Sequence, residues 1–563
     1  MRTVDELDIG YAQIDLPKLE PRVGVLQNLE RRKLLIVVIA VVVGFGARVY
    51  RLDAAGFAED EANKIFAIRC YEQGDFTANA EHPMVMKLLC YGSMQGAGAW
   101  NRAVGSRLNV ALSDEAALRL PNATFGALTV IPLFLLTTGL LGFRVGLITS
   151  LLWALGLDAI WFSRTTKEDT LLVFFMFCGF YLYHRAKHAA ASELAERERL
   201  YALAGAAFGL MMASKYFPHY FGLNALFYTV VGYDRRNNQP LTGRMWAKYF
   251  GALLAAFVIF NPAAFFPQTW RYLWKYVNEE LLTHHGYMVM DTLFVNDLTQ
   301  TPGGTPWYFY FLFIGVKLPL PVLLAFGAGL VEIFRRRGDY PYSRGYLFLR
   351  MMIVFWLLPE AFVGCKFLRY SLSLMPIIYI TAAVGVVAMF RVASLAIRRF
   401  RVGSAFWRAT AAVAIAGLFI ILPSAQSIRS VASSYPSLFV NVFGGNRIGY
   451  FFPHDEFYDL GARESIQFMA ANAPAGAMIA SEIPGVVQYY LERFNRPDIR
   501  SRIISQPSFT LNEEQPTFVI LQRGRVYFEN MENCKFIENS FPLIQASIYD
   551  GAAASKVFRI GDD

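Results

Sequence analysis

Residues 118–141 read LRLPNATFGALTVIPLFLLTTGLL, a run whose only formal charge is Arg119. As a helix, a run of this length rises about 36 Å, more than the roughly 30 Å of hydrocarbon in a bilayer. Apolar runs on either side repeat the pattern, at 34–50, 145–162, 169–185, 199–214, 216–232, 246–262, 306–334, 346–364, 369–390 and 405–424. Each is near or above the length a crossing needs. The reading is a polytopic all-α membrane domain with about eleven transmembrane helices. Composition agrees, because 55% of the 563 residues are hydrophobic and only 17% are charged, too few to cover a soluble protein of this size. Aromatic residues, at 15%, fit belts of amphipathic rings at the membrane boundary.

The net charge of +9 would suit nucleic acid, but the basic residues lie in short loops between apolar runs. With a cytoplasmic N-terminus every inner loop is basic: Arg31–Lys33, Arg144, Arg185 to Arg199, Arg235 to Arg244, Arg335 to Arg344, and Arg391 to Arg401. The opposite orientation has no such pattern. The chain thus divides into a cytoplasmic segment 1–33, a membrane domain 34–424 with long outer loops at 51–117 and 263–305, and an outer-facing tail 425–563. His82–Trp100 contains Lys87 and several glycines and reads as a helix lying in the interface. The tail reads as a soluble α/β domain, helical over Glu456–Ala473, with strands at Thr517–Leu521 and Ala546–Tyr549. The first 30 residues are polar and mixed in charge, unlike a cleavable signal peptide. Five cysteines show no metal-type spacing.

The outer loops hold the residues suited to chemistry. Glu59-Asp60-Glu61 follows the first span, where it would serve as an acidic helix start if it did nothing more. Glu81-His82-Pro83 reads as a proline-started helix with a polar cap, or as part of a site. Ser163 to Thr170, which contains Arg164, Lys167, Glu168 and Asp169, is either a solvated hairpin or a dense polar cluster between two spans. Lys215, His284-His285, and Lys366 with Arg369-Tyr370 fall on the same side, and Lys317 lies inside an apolar run. A cation within a span is a functional candidate or a snorkelling side chain. Acids and cations gathered at one membrane surface suit a substrate with a lipid tail, a phosphate and a polar head. The cations would hold phosphate, and a carboxylate would take the proton from an incoming hydroxyl.

Glu59-Asp60-Glu61, Glu81-His82-Pro83, Arg119 to Gly126 (RLPNATFG), Ser163-Arg164, Glu168-Asp169, Ala213-Ser214-Lys215, Pro306-Trp307-Tyr308 and Arg369-Tyr370 form a series. In that order it resembles the GT-C glycosyltransferases, and within them the protein O-mannosyltransferases and the aminoarabinose transferases of lipid A. The resemblance runs over about residues 30–390, and the tail resembles outer-facing C-terminal domains of bacterial members. It implies inverting transfer of a hexose or pentose from a polyprenyl-phosphate carrier to a glycan, lipid or protein hydroxyl at the outer membrane face. Asp60 matches the general base, with Glu61 as second choice, and Asp169 matches the second acidic position, for acceptor or sugar. Lys366, Arg369 and Tyr370 match the region that contacts the carrier phosphate. Glu81, His82, Arg164, Lys167, Glu168, Lys215, His284 and His285 complete the expected substrate-binding set.

No metal is expected to be required, since fixed Lys and Arg donors can stabilise a lipid monophosphate as it leaves. If a divalent ion were used, Glu81, His82, His284 and His285 would be its ligands. The competing function is a transporter or flippase for polyprenyl-linked sugars. That class more often shows paired halves and midplane polar residues, and this chain has no visible repeat. The expected location is a bacterial inner membrane.

Overall fold

The computed structural model describes residues 23–216, 219–231, 241–278, 285–335, 342–399, 405–433, 435–506, 509 and 518–560, with helix Val23–Val49 described at its side chains from Leu34 on. His284, and basic residues such as Arg235, Arg236, Arg336, Arg337 and Arg401, lie outside the described residues.

The architecture is mostly helical, with a small sheet near the C-terminus. Among the described residues four helices are long and apolar enough to cross a membrane alone: Asp114–Leu141, Gly243–Phe260, Met375–Ile397 and Ala409–Ala432. Phe143–Ala154 and Leu157–Ser163, bent by 50°, would together make a fifth. Eleven uninterrupted spans are therefore not found, although a helix or a broken helix occupies each expected position. The breaks have local causes. Pro319 divides one run into Phe309–Lys317 and Leu320–Arg335, because proline cannot donate the helical hydrogen bond. The run 346–364 is helical without a gap from Ser343 to Glu360, with a wider turn at Ile353–Leu357, and Arg344, Arg350 and Glu360 interrupt its apolar character. Glu168–His188 and Leu194–Ser214 are long enough, but charged ends shorten their apolar stretch.

Small residues let these helices touch. A side-chain carbon added at Gly205 or Gly209 would strike the backbone carbonyls of Tyr249 and Leu253, so Leu194–Ser214 packs directly on Gly243–Phe260. Gly329 and Gly385 meet Thr381 and Ala325 in the same way, joining Leu320–Arg335 to Met375–Arg399. Close backbone approach of this kind supplies packing where lipid removes the hydrophobic drive.

The last long helix ends at Ala432, and the tail after it holds a five-stranded mixed sheet in the order 500–502, 478–480, 518–522, 552–559, 543–549. The first three strands are parallel and the last two antiparallel to their neighbours. The strand expected at Thr517–Leu521 is Phe518–Gln522, with Thr517 outside the described residues, and that expected at Ala546–Tyr549 begins at Leu543. The helix expected over 456–473 is two helices, Pro453–Phe457 and Ala462–Asn472. Left-handed backbone at Tyr458 (φ 41°), Asp459 (φ 63°) and Gly461 (φ 85°) separates them. The tail's Ile466, Ile479, Val486 and Tyr490 share one buried core with Phe57, Ile65, Val85 and Met86, which lie between the first apolar run and the second.

Candidate active site

Asp60 lies in the first turn of helix Glu59–Glu72, where the helix dipole favours a carboxylate. Three side chains from three other parts of the chain converge on it. Lys167 forms an ion pair with Asp60, the Tyr458 hydroxyl donates to it, and Arg369 Nη1 lies 3.9 Å from Oδ2. Burial alone would raise the Asp60 carboxyl, but Lys167, Arg369 and Lys64 outweigh it and hold it well below the usual carboxylate range. Burial, with the Asp60 charge behind it, keeps the Tyr458 hydroxyl protonated and thus a donor.

One turn on, Lys64 pairs with Glu168 at 2.9 Å, and His82 Nδ1 stands 4.0 Å from the same carboxylate. Burial pushes the His82 ring down to about 3 despite Glu168, so it is neutral at working pH. Asp169 accepts from Lys215 Nζ at 2.6 Å, and that ammonium lies 4.0 Å from the centre of the Tyr370 ring. Asp169, Lys167, Arg369, Asp455 and Tyr458 line one small cleft with Trp161 and Phe162. The structure therefore brings Asp60, Lys167, Glu168, Asp169, Lys215, Arg369 and Tyr370 together.

Other expected site residues brace the fold instead. Glu61 is fully buried, and its oxygens are filled: Arg119 Nε and Thr166 N donate to Oε1 at 2.8 and 2.9 Å, and Arg119 Nη2 and Ala58 N donate to Oε2 at 2.6 and 3.1 Å. These four bonds engage every lone pair of the Glu61 carboxylate in the ligand-free protein, in contrast to Asp60. Arg164 donates to the carbonyls of Ala47, Arg48, Tyr50 and Arg51, closing the end of the first helix rather than facing the cleft. The Lys366 ammonium is taken up by the carbonyls of Thr305 and Val363. His285 binds Glu529 of the tail at 2.7 Å, and Glu81 accepts from Asn79. Lys317, the cation inside an apolar run, pairs with buried Glu456 at 2.9 Å and donates to the carbonyls of Ser437 and Phe439, fastening the tail. Among the described residues no group of three or more His, Cys, Asp or Glu side chains could hold a metal ion.

The RLPN stretch explains how the loops are set. Arg119 also donates to the carbonyls of Leu52, Ala55 and Gly56, and Asn122 donates to those of Thr165 and Lys167. Pro121 has no N–H for the carbonyl of Ala117, and Ser93 Oγ donates to it instead at 2.6 Å. One helix thereby positions both the Asp60 loop and the Lys167 loop.

Two contributors went unread in the sequence, Asp455 and Tyr458. Asp455 Oδ2 accepts from the Leu368 N–H at 3.0 Å and from the Tyr287 hydroxyl, setting the turn that carries Arg369. Lys64 was also missed, though its place one turn after Asp60 was a usable signal.

Residues 98–266 match the family model described as dolichyl-phosphate-mannose-protein mannosyltransferase. This chain is similar to the GT-C glycosyltransferases. The crystal structure of ArnT from Cupriavidus metallidurans in the apo state is similar over 93% of this chain and 97% of that one, at 16% identity and a TM-score of 0.49. The same protein bound to undecaprenyl phosphate gives 15% identity, the same coverages and a TM-score of 0.47. The archaeal oligosaccharyltransferase AglB from Archaeoglobus fulgidus, in complex with an inhibitory peptide and a dolichol-phosphate, is similar over 94% of this chain and 74% of that one, at 12% identity and a TM-score of 0.47. No curated protein sequence matches significantly.

Proposed function

We propose that the chain is an inverting glycosyltransferase that moves a sugar from a polyprenyl-monophosphate carrier to an acceptor hydroxyl at the outer face of a bacterial inner membrane. The observation that carries this reading is the pairing of one carboxylate, Asp60, with two cations, Lys167 and Arg369, that themselves line a cleft with Trp161 and Phe162. The family match over 98–266 supports it. Without substrate the cations neutralise Asp60. A lipid phosphate entering the cleft competes for them, and Asp60 becomes more basic as they turn to the phosphate. The acceptor oxygen then attacks the anomeric carbon, its proton passes to Asp60, and the electrons of the breaking C–O bond leave with the phosphate. Asp169, held by Lys215, orients the acceptor or sugar. The N-terminus is cytoplasmic and the tail faces outward, and the cations serve in place of a metal.

Purified protein given polyprenyl-phosphate-linked sugars should yield a covalently glycosylated product, with chelator present or absent. Arg369→Ala should weaken carrier binding more than acceptor binding. Equal losses for both substrates would remove the phosphate role, and carrier movement across the membrane without any product would favour the transporter.

A further inference from the structure

Arg525 belongs to the tail, yet it holds the chain on both sides of the Tyr458–Asp60 contact. Its side chain is 6% exposed and donates to both oxygens of Asp459, Nε to Oδ1 at 2.8 Å and Nη2 to Oδ2 at 2.6 Å. Nη1 donates to Glu59 Oε2 at 2.6 Å and to the Tyr527 hydroxyl at 3.1 Å. Asp459 in turn accepts from the Glu59 backbone N–H at 2.8 Å. Glu59 is the residue before Asp60, and Asp459 is the residue after Tyr458. One side chain therefore fastens the neighbours of both groups, with a planar fork whose geometry an ammonium lacks. Gly524 sets its place. A side-chain carbon there would lie 2.6 Å from the His454 backbone, so the turn after strand Phe518–Gln522 rests against helix Pro453–Phe457. Asn530 Nδ2 closes that turn by donating to the Arg525 carbonyl at 2.9 Å.

Tyr458 and Asp459 both adopt left-handed backbone, with φ of 41° and 63°. Side chains rarely occupy that region, and residues held there need surroundings that over-determine them. The fork on Asp459 supplies that constraint. Among the described residues Arg525 is the only cation paired with Asp459 or Glu59, so without it two carboxylates would face each other beside Asp60. Arg525 does not line the Asp60 cleft and acts on it only through these neighbours. Another clasp of the tail shows the contrast. Arg493 pairs with Glu115 at 2.9 Å, and neither residue adjoins a group that contacts Asp60.

We propose that Arg525 is a positioning residue, which aims the Tyr458 hydroxyl and the Asp60 carboxylate at one another and so makes the tail part of the active site. This rests on Asp60 as the base. Arg525→Lys keeps the charge and loses the fork, so kcat should fall about tenfold with KM changed less than about twofold. Tyr458→Phe, worth about fivefold in kcat/KM in the parent, should cost nothing more in Arg525→Lys, because the contact it deletes is already lost. In Arg493→Lys it should still cost about fivefold, since that clasp only fastens the tail. If Arg525→Lys does not fold, Asp459→Asn loosens the same clasp, suits left-handed backbone, and should show the same loss and the same non-additivity. Hydrogen exchange on the full chain in detergent should quicken at 57–62 and 456–461 in Arg525→Lys and stay unchanged in the tail sheet. Normal turnover in Arg525→Lys, losses that add to that of Tyr458→Phe, or unchanged exchange at those two segments would each overturn the positioning role and leave the transferase reading standing. A parent that makes no product, or full turnover in Asp60→Asn, ends that reading and this one with it.

Discussion

Asp60 and Glu61 are neighbours in sequence and opposites in environment. Glu61 accepts four hydrogen bonds from a bidentate arginine and two backbone amides and is sealed from solvent. Asp60 is met by Lys167, Arg369 and Tyr458 from three distant segments, and these three side chains line a cleft. The first arrangement is complete without a ligand. The second is held by partners that a phosphate can draw away. Two identical charges on one helical turn thus divide into a brace and a candidate base, and burial with hydrogen-bond saturation decides which is which.

Four substitutions test that contrast. Asp60→Asn keeps the shape and removes the base, so turnover should fall about 10²–10⁴-fold in protein that still elutes folded, as transfer assays and size exclusion would show. Near-normal turnover would end the assignment. Glu61→Gln should do the reverse, leaving Arg119 buried without its carboxylate at a cost of roughly 3–5 kcal/mol, read as loss of folded protein on size exclusion. The surviving folded fraction should turn over normally, and a folded but inactive Glu61→Gln protein would overturn the bracing role.

The third test is pH. A base acts only when deprotonated, and the Asp60 carboxyl is held below its ordinary value. The profile of kcat/KM, which reports the free enzyme, should therefore stay flat on acidification until the pH passes below about 3.9, the usual aspartate value. Lys167→Gln removes one of the charges responsible and should move that acid limb to higher pH. An unmoved limb would mean that Lys167 does not tune Asp60. The smallest effect belongs to Tyr458→Phe, which deletes one hydrogen bond to Asp60, about 1 kcal/mol or roughly fivefold in kcat/KM. An identical rate would leave the tail without a part in the site.

Helix positions were legible because apolar runs report burial directly, and the acids and cations were legible because charge beside a span needs a reason. The roles within the cluster were less so. Arg164, Lys366 and Arg369 look alike in sequence, yet the first two spend their donors on backbone carbonyls and only Arg369 reaches Asp60. A helix end in need of capping and a substrate phosphate recruit the same chemistry, so residue type cannot separate them. Span continuity was overread where Pro319 and the turn after Ala154 interrupt apolar runs.

By itself the sequence determined the helical membrane class, the position of each apolar segment, two of the five tail strands and most of the charges gathered at the cleft. Only the tertiary structure brought Tyr458 onto Asp60, from 398 residues away, and turned Glu61 toward Arg119. Periodicity and hydropathy act within a segment, whereas the partner of a buried charge is chosen by which segments pack together.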